Sequence, residues 1–432
     1  MEQNRVYKYR WIVLLAYSLI NITIQIQWLT FAPVCRAAEF YYQAQLIPGS
    51  IFDIELLSMI YMFVFLIFCI PASYIIDTFG IKTGISIGAF LAAFSALGKG
   101  LFAQSFVMVL IFQTGLAIAQ PFILNSVTAV SVRWFPLRER GTAAGLSALS
   151  QYLGIIIVMI VTPLLIKVSY DTAGNINSVS GIKSMLMTYG ILTFITGVAS
   201  IVLIKEHPPT PPSSESMTRQ SVTAGLKRIL KLRDMQLLLL LFFIGLGLFN
   251  AVSTVIDSIC ASKGLSMEQS GLTGGIMLFG GIIGAVVMPM LSDKHRKRKL
   301  YLQICMMGMI PSIAGLALFT AFAPVMISSF LLGFFVMSAG PLGFQYAAEI
   351  SIPAPESTSQ GIILLSGQIS GLIFVAQMNS EAGMKLWMMI FIGLSVVALI
   401  VTMMLKESPM IITEAEKYSE ETQPAVPVEV NA

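Results

Sequence analysis

The chain has 432 residues, of which 56% are hydrophobic and only 11% are charged. Water-soluble domains carry about 25% charged residues, so this composition excludes a soluble globule and predicts a polytopic membrane protein. The formal net charge of +4 arises from basic loops on one side of the membrane, and we infer no nucleic-acid partner from it.

Twelve apolar runs are long enough, at roughly 20 residues, to cross the hydrocarbon layer as helices. Helices are expected because an open strand edge would leave backbone groups unpaired in lipid. The number twelve fits two sets of six. The predicted spans, numbered 1 to 12 in chain order, cover residues 11–34, 54–76, 83–104, 106–130, 142–166, 184–204, 235–257, 272–292, 300–322, 324–347, 361–379 and 386–405.

The basic residues of the loops predict the orientation, because Lys and Arg resist translocation. With both termini cytoplasmic, most of the 26 basic residues lie inside, whereas the reverse orientation would translocate the cluster from Lys294 to Lys299. Span 1 is too long for a cleavable signal peptide. The external loops lack a glycosylation sequon, so we expect a multi-pass protein of a prokaryotic plasma (inner) membrane.

Span 1 carries polar residues at every second position in the stretch NITIQIQW. On a helix Asn21, Gln25 and Trp28 share one face, whereas Thr23 and Gln27 form a second stripe roughly opposite. Two stripes indicate two roles, one facing a wet cavity and one bonding a neighbouring helix. The alternative is that all of these side chains bond neighbouring helices, at about 0.6 kcal/mol each.

A polar segment divides the chain almost in the middle. Residues 205–234 are rich in Pro and Ser and end in the basic amphipathic run AGLKRILKLRD, which predicts a cytoplasmic linker followed by a helix on the anionic inner leaflet. We therefore expect a six-helix bundle over 1–204, the linker over 205–234, a second bundle over 235–405 and a disordered cytoplasmic tail over 406–432.

Internal repetition supports this division. One nearly constant offset relates residues of the two halves, which indicates two parallel six-helix repeats with a binding site near mid-membrane between them. The related residues are Asp77 and Asp293, Pro136 and Pro353, Glu139 and Glu356, Gln151 and Gln368, and Gly154 and Gly371.

The loops after spans 2 and 8 resemble those of the major facilitator superfamily, in which an Asp is followed by basic residues. Asp77 and Asp293 match that Asp, although Ser73 and Thr78 depart from the usual Gly and base around the first copy. The resemblance implies a cytoplasmic clamp in which each Asp is held by helix-end amides and an Arg such as Arg138. Alternatively, Asp77 only caps a helix end.

Four longer motifs resemble one group within that superfamily, the feline leukaemia virus subgroup C receptor-related transporters. They are LSMIYM from residue 57, AQPFIL from residue 119, FNAVST from residue 249 and PLGFQYAAEISIPAPE from residue 341. The likeness extends from span 1 to span 11, and the family is associated with choline and ethanolamine transport and with haem.

The resemblance also implies a binding site. Gln120 and Gln368 match two pocket glutamines, whereas Gln25 and Asn250 stand where the family has a Trp and a Tyr that enclose a quaternary ammonium group. Since Gln25 takes a ligand-facing position, its stripe is the one we expect to face the cavity. The expected site residues are Asn21, Gln25, Trp28, Gln120, Asn250, Tyr346 and Gln368. Carboxamides and a few flat rings suit a small polar or weakly cationic organic solute.

The sequence leaves two driving forces for transport open, uniport and ion coupling. Proton-coupled carriers usually have a titratable group within the membrane, but both histidines, His207 and His295, lie in cytoplasmic loops. Asp257, near the outer end of span 7, is the best candidate for a coupling residue, the alternative being a helix end that faces water. Lys99 matches a Lys of the family, or it extends outward to the membrane surface. Uniport is the default and ion coupling stays open.

We therefore predict an alternating-access secondary transporter that is not an enzyme, has no cofactor or metal and acts as a monomer. A haem carrier is the alternative, although no His lies within a span to ligate iron. GISIG at residues 84–88 fits a hydrolase elbow but lies in an apolar helix, and Gly98-Lys99 lacks the rest of a phosphate-binding loop. A non-transporting receptor would need a larger soluble domain.

Overall fold

The computed structural model describes residues 7–46, 52–171, 176–209, 229–351 and 356–408, and nearly all of them are helical. The first half contains α1 (Arg10–Trp28), α2 (Cys35–Tyr42), α3 (Leu56–Phe79), α4 (Ile81–Leu101), α5 (Phe106–Leu124), α6 (Val127–Trp134), α7 (Leu137–Leu165) and α8 (Ile182–Leu203). The second half contains α9 (Arg233–Thr254), α10 (Ile256–Ala261), α11 (Met267–His295), α12 (Arg298–Leu318), α13 (Phe322–Ser351), α14 (Glu356–Gln377) and α15 (Glu381–Met404).

The predicted spans correspond to these helices. Within the described residues, eleven helices are long and apolar enough to cross a membrane. The remaining predicted span coincides with α14, in which the apolar stretch Gly361–Gln377 is shorter. We use "inner" for the ends predicted to be cytoplasmic and "outer" for the opposite ends.

The first span of each half is broken near its outer end. Helix α1 ends at Trp28, and a short 3-10 turn at Ala32–Val34 leads into α2. Likewise α9 ends at Thr254, and α10 begins after a single non-helical residue, Val255. Discontinuous helices are tolerated inside a membrane where the protein itself satisfies the freed backbone groups.

Tight turns at the inner ends require a glycine in one place. Gly80 joins α3 to α4 with a φ of +98°, a conformation that a residue with a Cβ rarely adopts. The carboxylate of Glu206 also lies where a Cβ of Gly80 would be. At the outer side, the side chain of Ser105 caps the start of α5. Its hydroxyl oxygen accepts a hydrogen bond from the backbone N–H of Met108 at 3.4 Å.

The two halves pack against each other along two pairs of helices. Helix α3 of the first half lies against α14, and α7 lies against α11. Within each half the helices pack into an apolar core, while many large apolar side chains on the outside remain exposed, as expected for a surface that faces lipid.

One element was not predicted. Residues Lys167–Tyr170 (β1) and Ile176–Ser180 (β2), between α7 and α8, form a two-stranded antiparallel hairpin with Lys167 opposite Ser180. The hydroxyl groups of Ser169 and Ser178 lie 2.7 Å apart across it. The hairpin packs on α2, on the outer side of the first half.

Several predicted features fall outside the described residues. The amphipathic run of the linker lies in residues 210–228, and the tail beyond residue 408 is likewise not described. The side chains of Asp77, Asp293 and Arg138 also lie outside what the structure describes, so the predicted inner clamp stays a prediction.

Candidate substrate site and the gates around it

The stripe of span 1 that was predicted to bond a neighbouring helix does so. The hydroxyl of Thr23 lies 3.0 Å from that of Thr196 on α8. The side-chain amide of Gln27 donates to the hydroxyl of Thr193 at 3.0 Å and to the carbonyl of Tyr189 at 3.1 Å. These bonds tie α1 to α8 within the first half.

The opposite stripe is divided between two roles. The amide of Asn21 donates to the carbonyl of Ser147 at 2.9 Å and to the hydroxyl of Ser150 at 3.0 Å, so Asn21 joins α1 to α7. Gln25, one turn further, is only 3% exposed, and its Oε1 has no hydrogen-bond partner within the described part of the chain. Asn21 Oδ1 is likewise unpaired among the described residues, but the Asn21 amide is engaged by α7, whereas Gln25 makes no side-chain hydrogen bond with any described residue.

Two glycines lie against the side chains of Gln25 and Asn250 in equivalent ways. The ideal Cβ position of Gly154 on α7 lies 3.0 Å from the Cβ of Gln25. In the second half, the ideal Cβ position of Gly371 on α14 lies 3.0 Å from the Cβ of Asn250. Asn250 donates to the carbonyl of Gly367 at 3.3 Å. The repeat that relates Gly154 to Gly371 in the sequence therefore places Gln25 and Asn250 in matching positions.

The aromatic residues predicted for the site differ in where they lie. The indole N–H of Trp28 donates to the carbonyl of Ser58 at 3.2 Å, which ties the end of α1 to α3. The buried hydroxyl of Tyr61, one turn along α3, has no partner among the described residues. Tyr346, in contrast, lies at the inner end of α13 and donates its hydroxyl to the carbonyl of Lys406 at 2.9 Å. Tyr61 thus lies one turn from Ser58, which Trp28 bonds, whereas Tyr346 lies at the inner ends of the helices.

Two further predicted glutamines have amide groups that no described residue engages. Gln120 on α5 is buried, and Gln368 on α14 is half-buried. Neither makes a side-chain hydrogen bond within the ranges that the structure describes. Together with Gln25, they leave polar capacity on helices of both halves.

Lys99 does not extend to the membrane surface. Its side chain is 0% exposed, and the ammonium group donates to Gln113 Oε1 at 3.0 Å. It also lies 3.5 Å from the carbonyl of Gln27 and from the hydroxyl of Thr30, and 6.0 Å from the ring centre of Phe31. The cation therefore lies at the break in span 1, surrounded by neutral acceptors.

An ion pair joins the halves at the outer end. Arg36 Nη2 on α2 donates to Asp257 Oδ1 on α10 at 2.7 Å, and Arg36 Nε donates to Oδ2 at 3.1 Å. The backbone N–H of Arg36 also donates to Oδ2 at 3.1 Å. The Asp257 side chain is 0% exposed and that of Arg36 30% exposed. Asp257, predicted as a coupling residue or as a helix end that faces water, is thus buried and paired with Arg36 of the other half.

The inner ends carry two equivalent carboxylates that the sequence analysis missed. Glu206 accepts the backbone N–H groups of Ile81 and Lys82, at 3.2 and 2.8 Å, where α4 begins. Glu407 accepts those of Arg298 and Lys299, at 2.9 and 3.1 Å, where α12 begins. A signal was present, since each Glu follows the last span of its half.

Additional ion pairs support these caps. Arg133, at the end of α6, pairs with Glu206, and Arg298 pairs with Glu349 at 3.2 Å. The hydroxyl of Ser408 donates to the same Glu349. Carboxylates at helix N-termini are favourable because they meet unpaired N–H groups and the positive end of the helix dipole. Each half thus closes its own inner end with a carboxylate.

The chain belongs to the Major Facilitator Superfamily, whose sequence profile matches residues 10–375. It is 30% identical over 391 residues to solute carrier family 49 member A3 of Xenopus tropicalis, an alignment that covers 86% of this chain and 78% of that protein. It is 27% identical over 417 residues to choline/ethanolamine transporter FLVCR1 of Felis catus, with 90% of this chain and 72% of that protein covered.

A solved structure agrees on the fold. The D-xylose-proton symporter superposes with a TM-score of 0.71 at 15% sequence identity, covering 93% of this chain and 99% of that one. At that identity the likeness establishes the fold alone. The predicted resemblance is therefore confirmed, and the chain is an all-α membrane transporter with two pseudo-symmetric halves that work by alternating access.

Proposed function

We propose that this chain is a secondary transporter of a small polar or weakly cationic organic solute, of the choline or ethanolamine kind. The solute binds between the halves, on Gln25 and Gln120 of the first half and on Gln368 and Asn250 of the second. The likeness to a choline/ethanolamine transporter and the carboxamides on helices of both halves support this substrate class. Uniport accounts for it without a further ligand.

The observation that carries the proposal is that the buried side chain of Gln25, its Oε1 included, makes no hydrogen bond with a described residue, whereas Asn21 and Gln27, whose side-chain oxygens are also unpaired, bond neighbouring helices through their amides. A buried carbonyl oxygen without a hydrogen bond costs about 1–3 kcal/mol, so the group is stabilised by a solute that donates to it. Choline can donate such a bond only from its hydroxyl, because the methyl groups of its quaternary ammonium are not donors, whereas ethanolamine can donate from its hydroxyl and from its ammonium N–H groups. We therefore expect a preference for ethanolamine-like solutes over choline-like ones.

We also propose the surroundings in which this site works. The bundles over 1–204 and 235–405 move about the site, joined by the segment 205–234, in a monomer of the plasma (inner) membrane. Asp77, Asp293 and Arg138 form the inner clamp that closes when the outer end opens. The basic loops on the predicted inner side support this orientation.

Thermal unfolding of the purified protein tests the site. A ligand that binds only the folded state raises stability by mass action, by about 2.7 kcal/mol at a hundredfold excess over Kd. Ethanolamine and choline are compared as a pair, beside polyamines, amino acids, vitamins and haem. The expected result is stabilisation by ethanolamine that exceeds that by choline and is lost in Gln25→Ala and in Gln368→Ala.

Gln104→Ala is the matched control, because the Gln104 side chain is exposed in the outer loop between α4 and α5. It should respond to ligand as the parent protein does. Stabilisation by any member of the panel that survives Gln25→Ala and Gln368→Ala would show that these glutamines join helices and that the site lies elsewhere.

A further inference from the structure

Two acids that precede α3 also join the halves at the outer end, in addition to Arg36. Asp53 hydrogen-bonds with the side chain of Asn379, which lies between α14 and α15. Glu55 Oε1 accepts from the hydroxyl of Ser258 on α10 at 3.4 Å. Closure of the outer end therefore brings Glu55 against the second half.

Glu55 is poorly accommodated as an anion. Its side chain is 8% exposed, the bond from Ser258 is long, and Oε2 is buried without a partner within the described residues. Burial of a carboxylate that lacks a cation and strong hydrogen bonds is costly, whereas a neutral carboxylic acid is tolerated far better. The closed outer end thus favours the protonated form.

The charges around Glu55 add to this effect. Asp53 and Glu39, the latter on α2, are the acids whose charges act on it. The cation nearest this cluster, Arg36, is engaged by Asp257 through both carboxylate oxygens. The remaining titratable neighbour, the thiol of Cys35, is buried among the same acids. No described group therefore supplies Glu55 with a positive charge.

We propose that Glu55 is a proton-binding site of the outer gate, which takes a proton from the outer solution when the halves close and returns it when they part. The proton forms an O–H bond at Oε2, and no other reactant is required. The inference rests on alternating access between the halves and not on the identity of the solute.

The direction of the pH effect follows from the two states. In the closed state burial, followed by the charges of Asp53 and Glu39, raises the pKa of Glu55 to about 8. In water, with the gate open, a Glu has a pKa of about 4.3. Protonation therefore stabilises the closed gate, and this stabilisation is lost as the pH rises through about 8.

Distances between spin labels on the two halves measure the gate without a solute. Gln104 and Ala321 are exposed in the equivalent outer loops, after α4 and after α12, and can be labelled as cysteines once the four native cysteines are replaced by alanine. Between pH 6 and pH 9 we expect the ratio of long (open) to short (closed) distances to rise about tenfold or more.

Variants of Glu55 and a control variant test whether Glu55 causes the pH response. Glu55→Gln mimics the protonated acid, so the closed distance should persist at both pH values, and Glu55→Ala should likewise lose the pH response. Glu268→Gln, an exposed acid in the first turn of α11 that is not part of this cluster, is the matched control and should keep the response. A parent protein without a pH response, or a response that survives in Glu55→Gln, would overturn the proposal. Failure of the ligand panel would leave this test unaffected.

Discussion

A buried lysine without a carboxylate partner is costly unless its surroundings are strongly polar. Lys99 meets this requirement at the break in span 1, where the helix ends and carbonyls are left without intrahelical partners. Gln113 accepts from Lys99 and also donates to the carbonyls of Gln27 at 3.2 Å and Leu57 at 2.9 Å. The pair therefore stabilises the broken helix end, because a cation is favourable at a helix C-terminus.

Replacing Gln113 with Leu should destabilise the first half by about 2 kcal/mol. The change leaves the ammonium of Lys99 and the carbonyl of Leu57 buried without this partner, and each unpaired buried group costs about 1–3 kcal/mol. The midpoint of thermal unfolding in detergent measures the effect. Thr114→Val is the control, since the bond that Thr114 makes among the described residues is to the carbonyl of Leu110 in its own helix. Equal midpoints for the two variants would contradict this role for Gln113.

For single residues, the sequence shows which side chains within a span are polar, but it predicts only part of the partners that they bond. The alternation in NITIQIQW separates Gln27, whose amide bonds α8, from Gln25, whose side chain makes no hydrogen bond with a described residue. It does not separate Asn21 from Gln25, because both lie on one face and only the position of Ser150 on another helix distinguishes them. Likewise Tyr346 bonds Lys406, a residue sixty positions away in the chain.

Helix pairs in the membrane approach closely where one of them has a small residue. Gly154 allows α7 to lie against α1, since a Cβ there would meet the backbone carbonyl of Ile22 as well as Gln25. Gly371 does the same for α14 against α9, beside Asn250 and Met62. Both glycines thus set how far a central carboxamide stands from the neighbouring helix.

Gly154→Ala should destabilise the protein by about 1–3 kcal/mol, the usual cost of overpacking, and should also displace Gln25. The added methyl meets a backbone oxygen, which cannot move without shifting α1. Thermal unfolding measures the stability, and ligand-induced stabilisation measures the site.

Gly145→Ala on the same helix is the control, because none of the described residues lies within 4 Å of its added Cβ. It should be neutral or stabilise by up to about 1 kcal/mol, since it reduces the freedom of the unfolded chain. If Gly154→Ala behaved like Gly145→Ala, α1 and α7 would not depend on this close approach.

The helices themselves are predictable because the hydrocarbon layer imposes both their length and their apolar composition. The breaks after Trp28 and Thr254 are predictable only in part, because Pro33 disfavours a continuous helix at the first break, whereas residues 248–263 around the second contain no Gly or Pro. The first break is also stabilised by tertiary partners, Lys99 and Gln113, which lie far away in the chain. The hairpin β1–β2 was missed because it is short and lies in a loop that the hydrophobic pattern does not describe.

For the whole molecule, the internal repeat predicts more than the separate motifs do. The offset that relates Gly154 to Gly371 also relates Ile81 to Arg298, where Glu206 and Glu407 cap equivalent helices. The caps could have been anticipated from the repeat together with an acid after the last span of each half. The contact of Arg36 with Asp257 could not, because a repeat relates equivalent positions of the two halves and does not predict which side chains of one half bond the other.

This outer ion pair should control the balance between the two orientations of the transporter. Removing one partner of a buried, hydrogen-bonded pair leaves the other charge buried, which costs several kcal/mol in a dry site and less where, as for Arg36, water has access. We expect Asp257→Asn and Arg36→Gln each to weaken the closed outer end by about 2 kcal/mol. The spin-label distance between residues 104 and 321 should then shift toward the open value.

A double-mutant cycle separates this contact from other effects of the two changes. If the pair itself holds the gate, the double variant should open the outer end no further than either single variant, because the interaction is already lost. Additive opening would mean that the residues act independently. Glu268→Gln, an exposed acid in the first turn of α11, controls for loss of negative charge at the outer surface and should leave the distances unchanged. Coupling found here would establish that the broken outer ends of spans 1 and 7 act as one gate.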